Sequence, residues 1–246
     1  MKRIIVFIIF ATFSVATFCQ ETTSVALGKM EVSPPRFAGI ENAVTFLEEE
    51  QCQSFVDYVA ENFQYPDFRN SKICEGTEVV QFVVSPAGEI VDFKVINSLA
   101  PEIDAEIIRV LKSTSGMWLP GTSDEKRVSM SREISLAINC NGDRDFEKIA
   151  RSNFERAHKL WFTRNKPEKA LRHYNKGIRY RPYDESLLFM RGLCKFELGD
   201  KEGAREDWCR FNDCGGTVDW EEKFLSDHKH QLKTYDEVVD ILKTKK

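Results

Sequence analysis

The most regular pattern in the chain is the alternation from Val128 to Ile138. Val128, Met130, Ile134, Leu136 and Ile138 share one face, and Ser129, Ser131, Glu133 and Ser135 share the other. A period of two predicts a half-buried strand, with Arg132 as the polar break in its apolar face. Two shorter runs precede it. Glu78 to Val84 places Val80, Phe82 and Val84 on one side, and Ile90 to Ile96 continues with Val91, Phe93 and Val95. Pro86-Ala87-Gly88 between them supplies turn residues. Elsewhere the period becomes helical. Ala43, Phe46, Leu47, Phe55, Val56, Tyr58, Val59 and Phe63 predict one or two amphipathic helices, closed at Tyr65-Pro66 because proline cannot continue a helix. Asp104 opens another helix, with Ile107, Ile108 and Leu111 inward and its carboxylate near the positive helix end.

From Phe146 onward the organisation is different. Shifting the chain by about 34 residues lays His158 on Gly192, Ala170 on Ala204, Tyr174 on Trp208 and Gly177 on Phe211, a period typical of stacked helix pairs. Small residues recur where helices would approach and aromatics where a pair needs filling, with His158 as the departure. Pro182 closes the first unit. Residues 146–216 therefore read as two helical repeats. Residues 217–246, with Trp220, Phe224, Leu232, Val238, Val239, Ile241 and Leu242 on an apolar side, read as a solvating cap.

The N-terminus has the pattern of a targeting segment. Lys2-Arg3 precedes an apolar run from Ile4 to Phe18, shorter than the roughly 20 residues of a spanning helix. Thr17 and Cys19 stand at −3 and −1 of a cut before Gln20, so residues 1–19 are expected to be a secretory signal peptide and the protein periplasmic. The alternatives are a lipoprotein cysteine at Cys19 and an uncut inner-membrane anchor. Residues 20–36 read as a linker ending at Ser33-Pro34-Pro35. At about 3.5 Å per residue it reaches roughly 50 Å.

Composition narrows the function classes. The chain has 246 residues, 42% of them hydrophobic, and a net charge of −4, which gives no global argument for nucleic acid or an anionic membrane. Seven cysteines include no CxxC, against a zinc ribbon or redox pair. Cys52 and Cys74 fall in one region and could pair in an oxidising compartment, with buried thiols as the competing reading. Cys194 and Cys209, on antiparallel helices out of axial register, fit a disulfide poorly. No phosphate loop, nucleophile elbow or zinc-protease motif occurs, and His228 and His230 would not share a helix face. No catalytic residue, metal or cofactor is expected, and the chain reads as non-enzymatic.

The order Tyr65-Pro66, Glu75-Gly76 opening a strand, Gly88 in the turn, then Trp118-Leu119-Pro120-Gly121 and the long alternating strand resembles the C-terminal domain of the TonB family, in the version common in Bacteroidetes-type bacteria. The resemblance covers residues 37–140, from Phe37-Ala38-Gly39 onward. Glu48 to Gln53 looks like an insertion, and Ser123-Asp124-Glu125-Lys126 replaces the family's Gly-Lys-Pro-like turn. It implies an α+β domain: a small antiparallel sheet with helices on one face, whose exposed edge accepts a partner strand. The competing expectation is an edge covered by a helix or by a homodimer. Residues 146–216 resemble two tetratricopeptide repeats, which implies an all-α second domain. The match rests on Ala170, Tyr174, Gly177, Pro182, Leu188, Gly192, Gly199 and Ala204.

Two candidate partner-binding surfaces follow. One is the sheet edge at Val128, Ser129, Met130, Ser131, Arg132 and Glu133. The other is the concave groove expected of such repeats, lined by Glu155, Lys159 and Phe162 and by Phe189, Leu193 and Phe196. For Phe189 and Phe196, packing against the next helix is the competing reading. Residues 151–181 hold ten Lys or Arg against Glu155 and Glu168, either a solvated basic face or a site for an acidic peptide or anionic polymer. The partner expected is an envelope protein or peptide. The alternatives are an anchored TonB-type energy transducer for outer-membrane transport and an accessory subunit of an envelope enzyme.

Overall fold

The computed structural model describes residues 5–9, 32–38, 48–66, 75–139, 144–216 and 225–243, with side chains for all but 5–9, 48–54 and 240–243. The proposed cut after Cys19, the helical positions Ala43, Phe46 and Leu47, the Cys52–Cys74 pair and the cap residues Trp220 and Phe224 lie outside the residues or side chains described. Chain contacts divide the protein into two units, Met1–Gly142 and Asp143–Lys246.

The first unit is α+β. Its main sheet is antiparallel and contains β1 (Ile5–Ile9), β4 (Gly76–Val84), β5 (Ile90–Asn97) and β9 (Met130–Asn139), in the order β1-β9-β4-β5. β4 and β9 pair over nine consecutive positions, from Gly76↔Ile138 to Val84↔Met130, with no register shift. That register sets Val80, Phe82 and Val84 beside Ile134, Arg132 and Met130 on one face. Helices α1 (Glu48–Asn62) and α2 (Pro101–Ser113) pack there, through Phe55 and Val59 and through Ile103, Ile107, Val110 and Leu111. Glu78, on the same face and fully buried, accepts a 2.6 Å hydrogen bond from the Leu99 amide and ties down the entry to α2.

Three sequence expectations change here, while Glu48 to Gln53, the stretch read as an insertion, forms the first part of α1. The residues read as the end of a linker belong to the fold: β2 (Val32–Ser33) pairs with β7 (Gly121–Ser123), and β3 (Arg36–Phe37) pairs with β6 (Trp118–Leu119). Proline at 34 and 35 holds an extended backbone, which suits the connection between two short strands. The long alternating strand is broken at its start. Val128 ends β8 (Lys126–Val128) opposite Gly121, Ser129 lies between strands, and β9 starts at Met130. The turn from β7 to β8 passes through Asp124 and Glu125, both left-handed (φ 48° and 65°), as a two-residue hairpin loop of the twist-matched type requires. Finally, Ser135 is buried rather than outward and solvated, as are its neighbour Ala137 and the facing Thr77.

Trp118 fills the centre of this core. It is 4% exposed, its Nε1 donates to Thr114 Oγ1 at 3.0 Å, and Phe37, Phe55 and Phe82 surround it with ring centroids 5.0–5.4 Å away. Gly88 makes this approach feasible. Its φ is +80°, and a Cβ there would collide with the Trp118 carbonyl oxygen.

The described part of the second unit is helical. α3 (Phe146–His158) runs into a π-helical turn, Lys159–Thr163, and is followed by α4 (Pro167–Tyr180), α5 (Glu185–Glu197), α6 (Lys201–Asp213) and α7 (Tyr235–Lys243). Caps set the boundaries: Asp145, Asp184 and Asp200 each accept from the amide three residues on, and Pro167 opens α4. Ala170, Tyr174, Pro182 and Ala204 are buried, as their recurrence suggested. Gly192 lies under Trp208, whose Nε1 would be 2.6 Å from an added Cβ, so the indole of α6 packs directly on the α5 backbone.

His158, where a small residue was expected, stacks near Phe154 and Phe162 and lies 6.0 Å from the His228 ring. Burial, then the neighbouring His228, pushes its pKa below the ordinary imidazole value. His173, with Nδ1 3.0 Å from Asn153 Oδ1, is depressed by burial and then by the charges of Lys176 and Arg156. Such histidines bind fewer protons folded than unfolded, so their stabilisation is present above the unfolded pKa of about 6.5 and is lost as pH falls below it. We expect the second unit's melting temperature to fall between about pH 7.5 and pH 5, and less so in His158→Phe. Calorimetry across that window is the check. A melting temperature that rises on acidification would contradict this assignment.

Candidate functional site

The expected sheet-edge site is β9. Met130, Ser131, Arg132 and Glu133 are all half-buried, and Arg132 stands opposite Phe82 at the rim of the apolar face. Tyr65 and Pro66 are half-buried beyond the end of α1, and Gly76 opens β4 beside Ile138 at the far end of β9. Pro120 links β6 to β7, and Gly121 faces the Met130 side chain, so the Trp118–Gly121 segment buttresses the start of β9.

The outer side of β9 is partly occupied. β1, from the run read as a leader, pairs antiparallel with Ser135–Asn139, from Ile9↔Ser135 to Ile5↔Asn139 without a shift. Over Met130–Ile134 no strand pairs with that side among the described residues. The other outer strand of the sheet, β5, differs. Its pairing with β4 shifts register twice, between Val79 and Val80 and between Gln81 and Val83, and each shift leaves an extra residue on β5. Asp92, at one of these bulges, has φ 51°. Bulges and a charged, left-handed residue twist an edge away from regular pairing.

The expected groove in the second unit does not form as read. Phe189, Leu193 and Phe196 are 0%, 0% and 3% exposed and belong to the helical core. Phe189 sits 5.7 Å from Phe211 and Phe196 5.6 Å from Trp208, so the packing alternative holds for both. Phe162 is half-buried, 4.7 Å from each of the rings of His158, Trp161 and His228. Of these groove residues Glu155 and Lys159 are exposed, and Lys159 faces a concavity between the end of α3 and α4. The alternation that suggested a groove is the alternation of a packed helix, since a core face and a concave apolar face carry the same spacing.

Cys194 is buried and donates to the Pro167 carbonyl at 3.3 Å; burial, then the nearby Glu168 and Glu197, pushes its thiol up to about 12. It is inert at neutral pH. Among the described residues, no group of three His, Cys, Asp or Glu is placed to hold a metal, and no helix is long and apolar enough to cross a membrane. Comparison of the chain with family models, with curated proteins and with solved structures gives no match.

Proposed function

We propose that this chain is a non-enzymatic interaction protein of the cell envelope that takes an extended segment of a partner protein as an added strand on the outer edge of β9. The observation that carries the reading is the difference between the two outer sides of the sheet. β5 is bulged twice, whereas β9 is regular over nine positions and already takes β1 in antiparallel register along Ser135–Asn139. Main-chain N–H and C=O groups along such an edge supply affinity for an incoming strand, and side-chain pockets supply specificity.

The resemblance to the TonB C-terminal domain supports the same reading through Trp118-Leu119-Pro120-Gly121, the segment that buttresses β9. Export rests on Lys2-Arg3 and the apolar run that follows. Removal of residues 1–19 takes β1 with it and vacates the outer edge of β9 along Ser135–Asn139. The helices of the second unit read as two tetratricopeptide-like repeats, supported by the burial of Ala170 and Ala204 and of Tyr174 and Trp208 at matching places.

The test uses the chain starting at Gln20 and a peptide of sequence Ile4–Phe10 flanked by lysines for solubility. Hydrogen exchange should slow at alternate amides of β9 on addition of peptide, with no change in α4 or α5. Ser131→Pro and Arg132→Pro form the second arm. Successive residues of a strand direct their amides to opposite edges, so one variant removes an edge donor and the other a bond to β4. The edge variant should keep its circular dichroism and lose the protection. Exchange at β9 indifferent to peptide in the unsubstituted chain would dispose of the edge reading.

A further inference from the structure

We propose a second binding site, in the helical unit: the concavity between the end of α3 and α4 binds a compact anion carrying several phosphate groups. The concavity is about 710 Å³, within the range of small-molecule sites. Six cationic side chains line it: Arg156, Lys159, Arg164, Lys169, Arg172 and Lys176. All are exposed, and none has an ion pair among the described residues. The two carboxylates of the stretch from Arg151 to Arg181, Glu155 and Glu168, do not line it. So many like charges around one hollow repel each other, and a bound polyanion would relieve that repulsion.

The arrangement is built by the backbone as well as by composition. Lys169, Arg172 and Lys176 are spaced i, i+3, i+7 and share one face of α4; Arg156 and Lys159 are spaced i, i+3. Lys159 and Leu160 lie in the π-helical turn that continues α3. Asn165, with φ 50°, then turns the chain into α4, placing Arg164 at the joint.

The lining also selects the ligand class. Three guanidinium groups match the planar, two-point recognition of phosphate oxygens, and six charges exceed what a single carboxylate or monophosphate would neutralise. Leu160 is the one aliphatic side chain of the lining, and Phe, Tyr and Trp do not line it. His173 completes the wall, held by Asn153.

Calorimetric titration of the full chain with inorganic tripolyphosphate tests the site. The expected result is saturable binding that weakens with added salt. Arg172→Glu and Lys159→Glu should each weaken it by about ten-fold or more, as loss of a charge-assisted contact does. Arg172→Lys, which keeps the charge and loses the fork, should fall between. Arg151→Glu and Arg205→Glu, which reverse charges outside the concavity, should leave affinity within about two-fold, and melting curves should confirm that every variant folds. No binding, equal losses in the pocket and control variants, or tighter binding of a poly-glutamate peptide than of tripolyphosphate would each overturn the proposal. Sedimentation with vesicles bearing a bisphosphorylated headgroup separates the sources: pelleting that tripolyphosphate displaces points to a lipid, and absence of pelleting beside tripolyphosphate binding points to a soluble anion. This site and the β9 edge lie in different units, so either can fail without the other.

Discussion

Trp118→Ala is expected to destabilise the first unit by about 3–5 kcal/mol, the range for removing a large aromatic from a core. The indole touches three elements at once: Phe37 on β3, Phe55 on α1 and Phe82 on β4. Truncation would forfeit those edge-to-face contacts, leave a cavity between sheet and helices, and release the Thr114 hydroxyl that the indole N–H engages. Thr114 Oγ1 also donates to the Leu111 carbonyl, so the C-terminal end of α2 loosens with it. Urea unfolding followed by circular dichroism measures the loss, and hydrogen exchange in β4 and β9 assigns it to the first unit. A change within about 0.5 kcal/mol, the scale of surface substitutions, would mean that the indole does not hold these elements together. The consequence for function is direct, because β6 and β7 lean on the start of β9.

The second large effect is expected at Asp207. Its carboxylate is 2% exposed and takes Arg191 in two contacts, Nε to Oδ2 at 2.8 Å and a terminal nitrogen to Oδ1 at 2.6 Å, with Lys195 Nζ 3.0 Å from Oδ2. Arg191 and Lys195 are one turn apart on α5 and reach across to α6, so the triad fastens the two helices beside the Gly192–Trp208 contact. Asp207→Leu leaves two largely desolvated cations facing each other without an anion. Breaking a buried ion pair on one side costs about 3–5 kcal/mol, whereas replacing the members together by apolar residues of similar volume is far milder. We expect Asp207→Leu to lower the second unit's urea midpoint by that amount, and Asp207→Leu combined with Arg191→Met and Lys195→Met to recover most of it. A triple variant as unstable as the single one would show that the carboxylate acts through packing and not through charge.

Much of this architecture is legible along the chain. The period-two runs became β4, β5 and β9, and the helical spacing around Ile107 became α2, because periodicity records which face of a local element meets the core. The recurrence of Ala170 with Ala204 and of Tyr174 with Trp208 marked residues that are buried. The excess of Lys and Arg over residues 151–181 was legible as composition, without the face those charges share.

Tertiary structure decided the rest. Local spacing carries no information about pairing partners distant in sequence. The pairing of Val32–Ser33 and Arg36–Phe37 with the Trp118–Ser123 segment, and of β1 with β9, therefore appeared only in the fold. The bulges that distinguish β5 from β9 arise from register against β4, which no single strand specifies. An apolar helix face reads the same whether it lines a groove or fills a core, so Phe189, Leu193 and Phe196 could be assigned only by burial. Arg156, Lys159 and Arg164 joined the α4 cations around one hollow only through the packing of α3 and its π-turn against α4, a tertiary contact that side-chain periodicity does not encode.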